Sequence, residues 1–341
     1  MSISGRLFRQ AGRWIPPALT RPFGGPAAVY FHGVEDTITD AHVQNNHHDA
    51  DTFRAIAKSL RADFDVLPLS ELDAVLADPR KYTRALFVMS DDGYANVARV
   101  AAPILAEFGL AWTLFVSTQH IDTGQRNPMF VARLFFAFAP PGRYEISRLG
   151  TVVLGDPQSR DVQESAAIAA LKGMDGAAAR QAIKAMAAVL SDVSLNHIAD
   201  GFSSDKFLNW DDVRALKKSG VEIGAHAHWH WPMNQNQSPQ SLLEQARLPK
   251  ARIEAEVGAC RFFAYPFGNV DDVGREAWRA VKDAGYDAAF TTLSGTLDAS
   301  TNRFLLPRYG LGLSERHAAS LIPLLRAGNR RLVRWQKAMA A

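Results

Sequence analysis

Short, fully apolar runs alternate along this chain with helical patterns, and that alternation constrains the fold more than any other feature. Ala27–Phe31, Ala85–Met89, Trp112–Val116, Val221–Gly224, Arg261–Ala264, Ala288–Thr291 and Phe304–Pro307 read as buried strands. Between them Phe53, Ile56, Ala57 and Leu60 recur at helical spacing, as do Val97, Val100, Ala101, Ile104, Leu105 and Phe108 before a terminating Gly109. Further helices are predicted from Trp210, from Ser238 with Pro239 at the first helical position, and over Glu276–Ala284. Strands apolar on both faces and separated by helices pair in parallel, so the chain reads as an α/β fold with barrel-like repetition.

One stretch, from about Arg126 to Asp205, breaks the alternation. Phe130–Phe138 is apolar, Glu164–Lys172 and Ala177–Leu190 are Ala-rich helices, and Pro140, Pro141, Gly142, Gly150 and Gly155 punctuate a small β piece between them. It reads as a mostly helical insertion, expected to border the substrate groove or to serve packing alone. The organisation is then a basic N-terminal segment over 1–26, a barrel over 27–313 with the insertion at about 126–205, and a basic C-terminal helix over 314–341.

With 47% apolar residues in 341, the chain buries a large core. Its 38 Lys and Arg against 35 Asp and Glu leave a net charge of +3, too small and too dispersed for a nucleic-acid groove. A single cysteine, Cys260, excludes an internal disulfide and a Cys-based zinc knuckle, so any metal uses His and carboxylates. The start of the chain lacks the apolar run of roughly 7–15 residues that a signal peptide needs. Nothing approaches the roughly 18 consecutive apolar residues of a spanning helix, and Met129–Pro140 is short and carries Arg133. The expected location is cytoplasmic. Arg6, Arg9 and Arg13 with Trp14, and Arg326, Arg330, Arg331 and Arg334 with Trp335, offer peripheral contact with an anionic membrane.

The candidate chemistry stands at strand ends, where barrel enzymes place it. Ala85–Met89 runs into Ser90-Asp91-Asp92-Gly93, and two adjacent carboxylates at the mouth of an apolar strand call for a cation or a shared proton. Val221–Gly224 runs into Ala225-His226-Ala227-His228-Trp229-His230. His-x-x-x-His is a frequent metal-ligand spacing, and with one carboxylate it forms a two-His, one-Asp site with positions open for water and substrate. His226 with His228, or all three imidazoles, is the other possible ligand set. Phe262 and Phe263 lead into Ala264-Tyr265-Pro266-Phe267-Gly268-Asn269, a proline-stiffened aromatic turn suited to a sugar face, with backbone N–H groups free for an oxyanion.

The order Asp-Asp-Gly, His-x-x-x-His, Pro-aromatic-Gly resembles the polysaccharide deacetylases, over about residues 27–120 and 207–310. Tyr30-Phe31-His32-Gly33-Val34 and Leu306-Pro307-Arg308 are similar to the branch acting on exopolysaccharides. The resemblance implies an irregular (β/α) barrel of about seven strands and removal of N-acetyl groups from N-acetylhexosamine units of a surface glycan or its precursor. It implies a divalent metal, zinc being the expected ion, held by Asp92, His226 and His230, with Asp91 as general base and the Phe267 N–H at the oxyanion. Tyr265, Pro266 and Gly268 join Phe267 as expected substrate contacts. The sequence departs from the family pattern where Ala264 replaces an arginine that orients the base, for which Arg308 is the candidate substitute. It departs again in having no Leu-x-His near its C-terminus, which points to His32 as general acid; His317 is a poor match. The alternatives are a small-molecule amide or imide hydrolase on this fold and a non-catalytic carbohydrate binder.

Overall fold

A computed structural model of the protein describes residues 25–190, 197–299 and 301–313, together with 316, 332, 334–336 and 338–339. In chain order the strands are β1 (Ala27–Phe31), β2 (Gly33–Glu35), β3 (His47–Asp49), β4 (Asp65–Val66), β5 (Ala85–Ser90), β6 (Thr113–Val116), β7 (Gly142–Ile146), β8 (Gly150–Leu154), β9 (Glu222–Ala225), β10 (Phe262–Ala264), β11 (Ala288–Phe290) and β12 (Tyr309–Gly310). The main sheet runs β11-β10-β9-β6-β5-β1-β12, with β4 beside the first half of β5, and its pairs are parallel. A thin seam closes it: Leu306 makes a single parallel bridge to Phe290, and the chain then enters β12 against β1. The result is the expected irregular (β/α) barrel.

Phe304–Pro307 does not form the predicted strand. Pro307 has no N–H to donate to a ladder, so pairing shrinks to the Leu306 bridge and resumes at Tyr309. The other apolar runs form strands within a residue or two of their predicted ends.

Side chains alternate across the barrel wall with the strand period of two. Ala28, Phe87, Met89, Phe115, Phe262, Ala264 and Phe290 fill the interior, while Val29, Phe31, Leu86, Val88, Leu114, Val116, Phe263 and Ala289 face the helices. Gly224 stands on the interior side of β9, where a Cβ would lie 2.5 Å from the Phe115 ring and 2.9 Å from the Phe262 carbonyl oxygen.

The segment 126–205 folds around an apolar cluster of its own. Helices α1 (Ala50–Asp63), α2 (Leu72–Ala77), α3 (Ala102–Glu107) and α4 (Thr118–Thr123) precede it; α5 (Pro128–Phe138), α6 (Pro157–Lys172) and α7 (Gly176–Leu190) lie within it. α8 (Trp210–Lys218), α9 (Pro239–Val257) and α10 (Arg275–Asp283) follow. The expected β piece is the antiparallel hairpin β7–β8. Phe130, Leu134, Phe135, Leu171, Ile183 and Met186 pack together and meet the barrel at Val43, Trp231 and Phe267. The two ends of the segment are tied by Arg126 Nη1 to Asp205 Oδ2 at 2.9 Å.

The terminal segments read as basic arms fall largely outside the described residues. Those described near the C-terminus are helical, and Trp335 and Met339 pack against the barrel's outer cluster. No helix among the described residues is long and apolar enough to cross a membrane.

Burial pushes Asp205 up to about 7 despite Arg126, and its Oδ1 has no partner. A carboxyl raised in the fold favours the folded state increasingly as pH falls from about 7 toward its unfolded value near 4. Wild type should therefore gain stability relative to Asp205→Asn as pH is lowered through that window, read as the difference in urea midpoints; a pH-independent difference contradicts it.

Candidate active site

The loops leaving β5, β6 and β9 are locked to one another at the barrel mouth. Ser117 N and Oγ donate to Asp92 O (3.4 Å) and His226 O (2.7 Å), and His226 N donates to Val116 O at 2.9 Å. Gln245, buried on α9, holds the 228–231 loop: its Oε1 accepts from His228 N and Trp229 N at 3.0 and 2.8 Å, and its Nε2 donates to Trp231 O at 3.2 Å. Among the described residues, five non-glycine residues adopt positive φ, and four of them sit here: Asp92 (76°), Ala227 (59°), His230 (53°) and Phe267 (59°). Each left-handed residue of this kind costs about 1–3 kcal/mol unless its surroundings impose it, and such strain concentrates at functional sites.

Asp91 and Arg308 form a buried, two-pronged ion pair, with Nη1 to Oδ1 at 2.7 Å and Nη2 to Oδ2 at 2.8 Å. Arg308 is completely buried, donates Nε–H to Thr291 O at 3.1 Å and lies over the Tyr30 ring at 4.5 Å. Burial opposes ionisation of Asp91, yet the Arg308 charge and its hydrogen bonds, with His226 nearby, hold the carboxyl below its ordinary range. The arginine reaches the aspartate by its syn lone pairs, leaving the carboxylate able to accept a further hydrogen bond from the cleft.

Asp92 turns the other way. Its Oδ1 lies 3.2 Å from His226 Nε2 and 2.9 Å from His230 Nε2, but neither approach has the direction of a hydrogen bond, so this buried oxygen has no partner. Ala264 O accepts from His226 Nδ1 at 2.8 Å, which leaves the Nε2 lone pair directed inward. The three ligand atoms all lie within 4.8 Å of one another. An orphaned carboxylate oxygen beside two imidazoles fits a divalent cation. Despite burial, the histidines hold Asp92 ionised far below its ordinary range. His228 is turned out of this set, with Nδ1 paired to Thr118 Oγ1 at 2.8 Å.

These groups line a cleft of about 370 Å³ with Tyr30, His32, Asn46, Tyr94, Asn127, Met129, Arg133, Lys172, Phe267, Asn269, Asp272 and Thr292. His32, just past β1, faces Tyr30 edge-on at 5.6 Å between ring centres, and burial lowers its pKa. Phe267 forms part of the wall, and among the described residues its N–H donates to none.

The remaining expected substrate contacts are placed differently. Tyr265 is a core residue: the strand period puts it with Phe263 on the outer side of the wall, and its hydroxyl donates to Phe304 O at 3.0 Å. Pro266 and Gly268 are buried in the turn that presents Phe267, with Gly268 at positive φ against Thr292 N. Sequence reasoning missed Asn46, Asn127, Arg133, Lys172 and Asp272. The lone charge in the apolar helix α5 was a signal for Arg133; the others stand in loops or at a helix end and leave no periodic trace.

Residues 172–289 match the family model for polysaccharide deacetylase. Over that span the sequence is similar to polysaccharide deacetylases. The match includes His226, His230 and Phe267, whereas Asp91 and Asp92 lie before it and join through the fold. The structure is similar to the Streptococcus pyogenes deacetylase PplD in complex with acetate, at 14% identity, 88% of this chain, 98% of that one and a TM-score of 0.58. It is also similar to a de-N-acetylase from Aggregatibacter actinomycetemcomitans (14%, 85% and 96%, 0.53) and to IcaB from Ammonifex degensii (13%, 88% and 98%, 0.53). At these identities the likeness is one of fold. No curated protein matches the sequence significantly.

Replacing Arg308 with Met leaves Asp91 buried without its counter-charge, which should lower stability by about 3–5 kcal/mol. Arg308→Met with Asp91→Leu should recover much of that loss. Denaturant unfolding of the single and double variants measures it, and a single variant as stable as wild type contradicts the assignment.

Proposed function

We propose that this protein is a metal-dependent de-N-acetylase acting on N-acetylhexosamine units of a surface glycan or of its precursor. The observation that carries the reading is the division of labour between adjacent aspartates: Asp91 is held ionised by Arg308, while Asp92 is left with a bare oxygen between two imidazoles. The family match supports an amide-bond hydrolase.

Asp92, His226 and His230 would hold the ion, and zinc suits this donor set of two imidazoles and a carboxylate. Bound there, a divalent cation supplies Lewis-acid polarisation of the acetamide carbonyl and acidification of a water. Asp91, at the adjacent position, accepts the proton of the attacking water, and Arg308 fixes its orientation through both oxygens. The Phe267 N–H donates to the carbonyl oxygen as negative charge develops on it. His32 faces the cleft from β1 and gives a proton to the departing amine. The C–N bond breaks, and acetate and a free amino sugar leave. We place this chemistry at the cytoplasmic face of a membrane, on a precursor, a reading that rests on the basic, Trp-bearing ends of the sequence.

Two outcomes are expected. Purified protein should carry about one divalent ion by elemental analysis, and chelation or Asp92→Ala should remove both the ion and acetate release; full activity without metal contradicts the reading. His32→Ala should keep the ion but lower kcat on an acetamide by roughly 10²–10⁴-fold, the usual contribution of positioned proton transfer. It should lose much less on an activated ester whose leaving group needs no proton, and equal losses on both count against His32 as donor.

A further inference from the structure

Charges in the cleft are matched, with one exception. Asp91 meets Arg308, Asp92 faces two imidazoles, and Lys172 Nζ stands 2.6 Å from Asp272 while lying over the Phe267 ring. Arg133 makes no ion pair with any described residue. Its one described hydrogen bond, from Nη1 to Val43 O at 2.7 Å, uses a single N–H of the five that a guanidinium carries. The residue is half-buried in the cleft wall and is the only charged residue of α5, whose other members are nearly all apolar. A half-buried cation that forms no ion pair with a described carboxylate, though Glu164 and Asp205 lie near enough to feel its charge, is costly to desolvate, and packing of an apolar helix does not require one.

Its neighbours in the wall are polar. Asn46 belongs to the turn that Arg133 anchors, and its Oδ1 lies 2.8 Å from His47 Nδ1, so its amide nitrogen is the end left for the cleft and for Tyr94 Oη at 3.5 Å. Arg133 and Asn46 thus both offer N–H donors to the cleft they line.

We propose that Arg133, with the Asn46 amide beside it, makes this cleft a site for an acidic N-acetylated sugar, the guanidinium receiving a carboxylate or phosphate oxyanion carried by the glycan. This rests on the deacetylase reading for the reaction, though not for the binding. It assigns the inserted segment a role in choosing the substrate.

Calorimetric binding of N-acetylglucosamine, its 6-phosphate and N-acetylmuramic acid to the purified full chain tests it, the last two separating a phosphate from a carboxylate. At least one acidic sugar should bind wild type roughly 10–100-fold more tightly than the neutral one, the range expected of a charge-assisted contact. That ratio should collapse toward one in Arg133→Gln, survive in part in Arg133→Lys and fall in Asn46→Asp, which sets a like charge against the anion. Equal binding of acidic and neutral sugars by wild type overturns the proposal without any variant. So does a preference that persists in Arg133→Gln, because the anion is then held elsewhere, as does an equal loss for all three sugars, which makes Arg133 only an anchor for the Val43 turn. Acetate release is followed on the same sugars: a binding preference with no release from any of them overturns the deacetylase reading alone, and release without preference overturns the Arg133 assignment alone.

Discussion

The buried pair of Asp91 and Arg308 is the constraint on which the rest of the site depends. A guanidinium with no exposed surface, lying inside a barrel otherwise filled by Phe87, Phe115, Phe262 and Phe290, is tolerable only if its charge is met at close range and its N–H groups are bonded. Asp91 satisfies both demands, with Thr291 O taking Nε–H and the Tyr30 face closing the other side. The same pairing ionises and aims the carboxylate that the proposed chemistry needs. It also joins residue 308, just past the weak Leu306 seam, to the end of β5, so the pair that aims the carboxylate also ties the seam to the sheet.

Backbone conformation is the second constraint. Asp92, Ala227, His230 and Phe267 are held in the left-handed region although none is glycine. Cross-links between strand-end loops and the Gln245 clamp hold the 226–231 turn so that two imidazoles reach one carboxylate oxygen. Strain of this kind persists because the surrounding hydrogen bonds over-determine the turn.

Much of this was legible in the amino-acid order. Fully apolar runs such as Ala85–Met89 mark buried strands because both faces of a parallel sheet are covered, and the Asp-Asp and His-x-x-x-His clusters stand out as polar groups where apolar strands end. Tyr265 illustrates the opposite case. Its place in an aromatic turn spoke for a sugar contact, whereas strand parity sends it to the outer face with Phe263 and its hydroxyl is spent on Phe304 O. Arg133 shows how a residue noted only as a charge inside an apolar stretch acquires meaning once that helix is placed against the cleft.

The sequence by itself determined six strands of the main sheet, the interruption at about 126–205 and the residue types able to bind a cation, because these follow from local periodicity and side-chain chemistry. Tertiary structure brought Arg308 to Asp91 across 217 positions and Asp92 to the histidines, as the family resemblance implied, and it alone decided that His228 points away and that Arg133 and Lys172 from the inserted segment join the wall. Those outcomes turn on barrel closure and on left-handed turns at the strand ends, which depend on contacts between distant segments and leave no mark in the neighbouring residues.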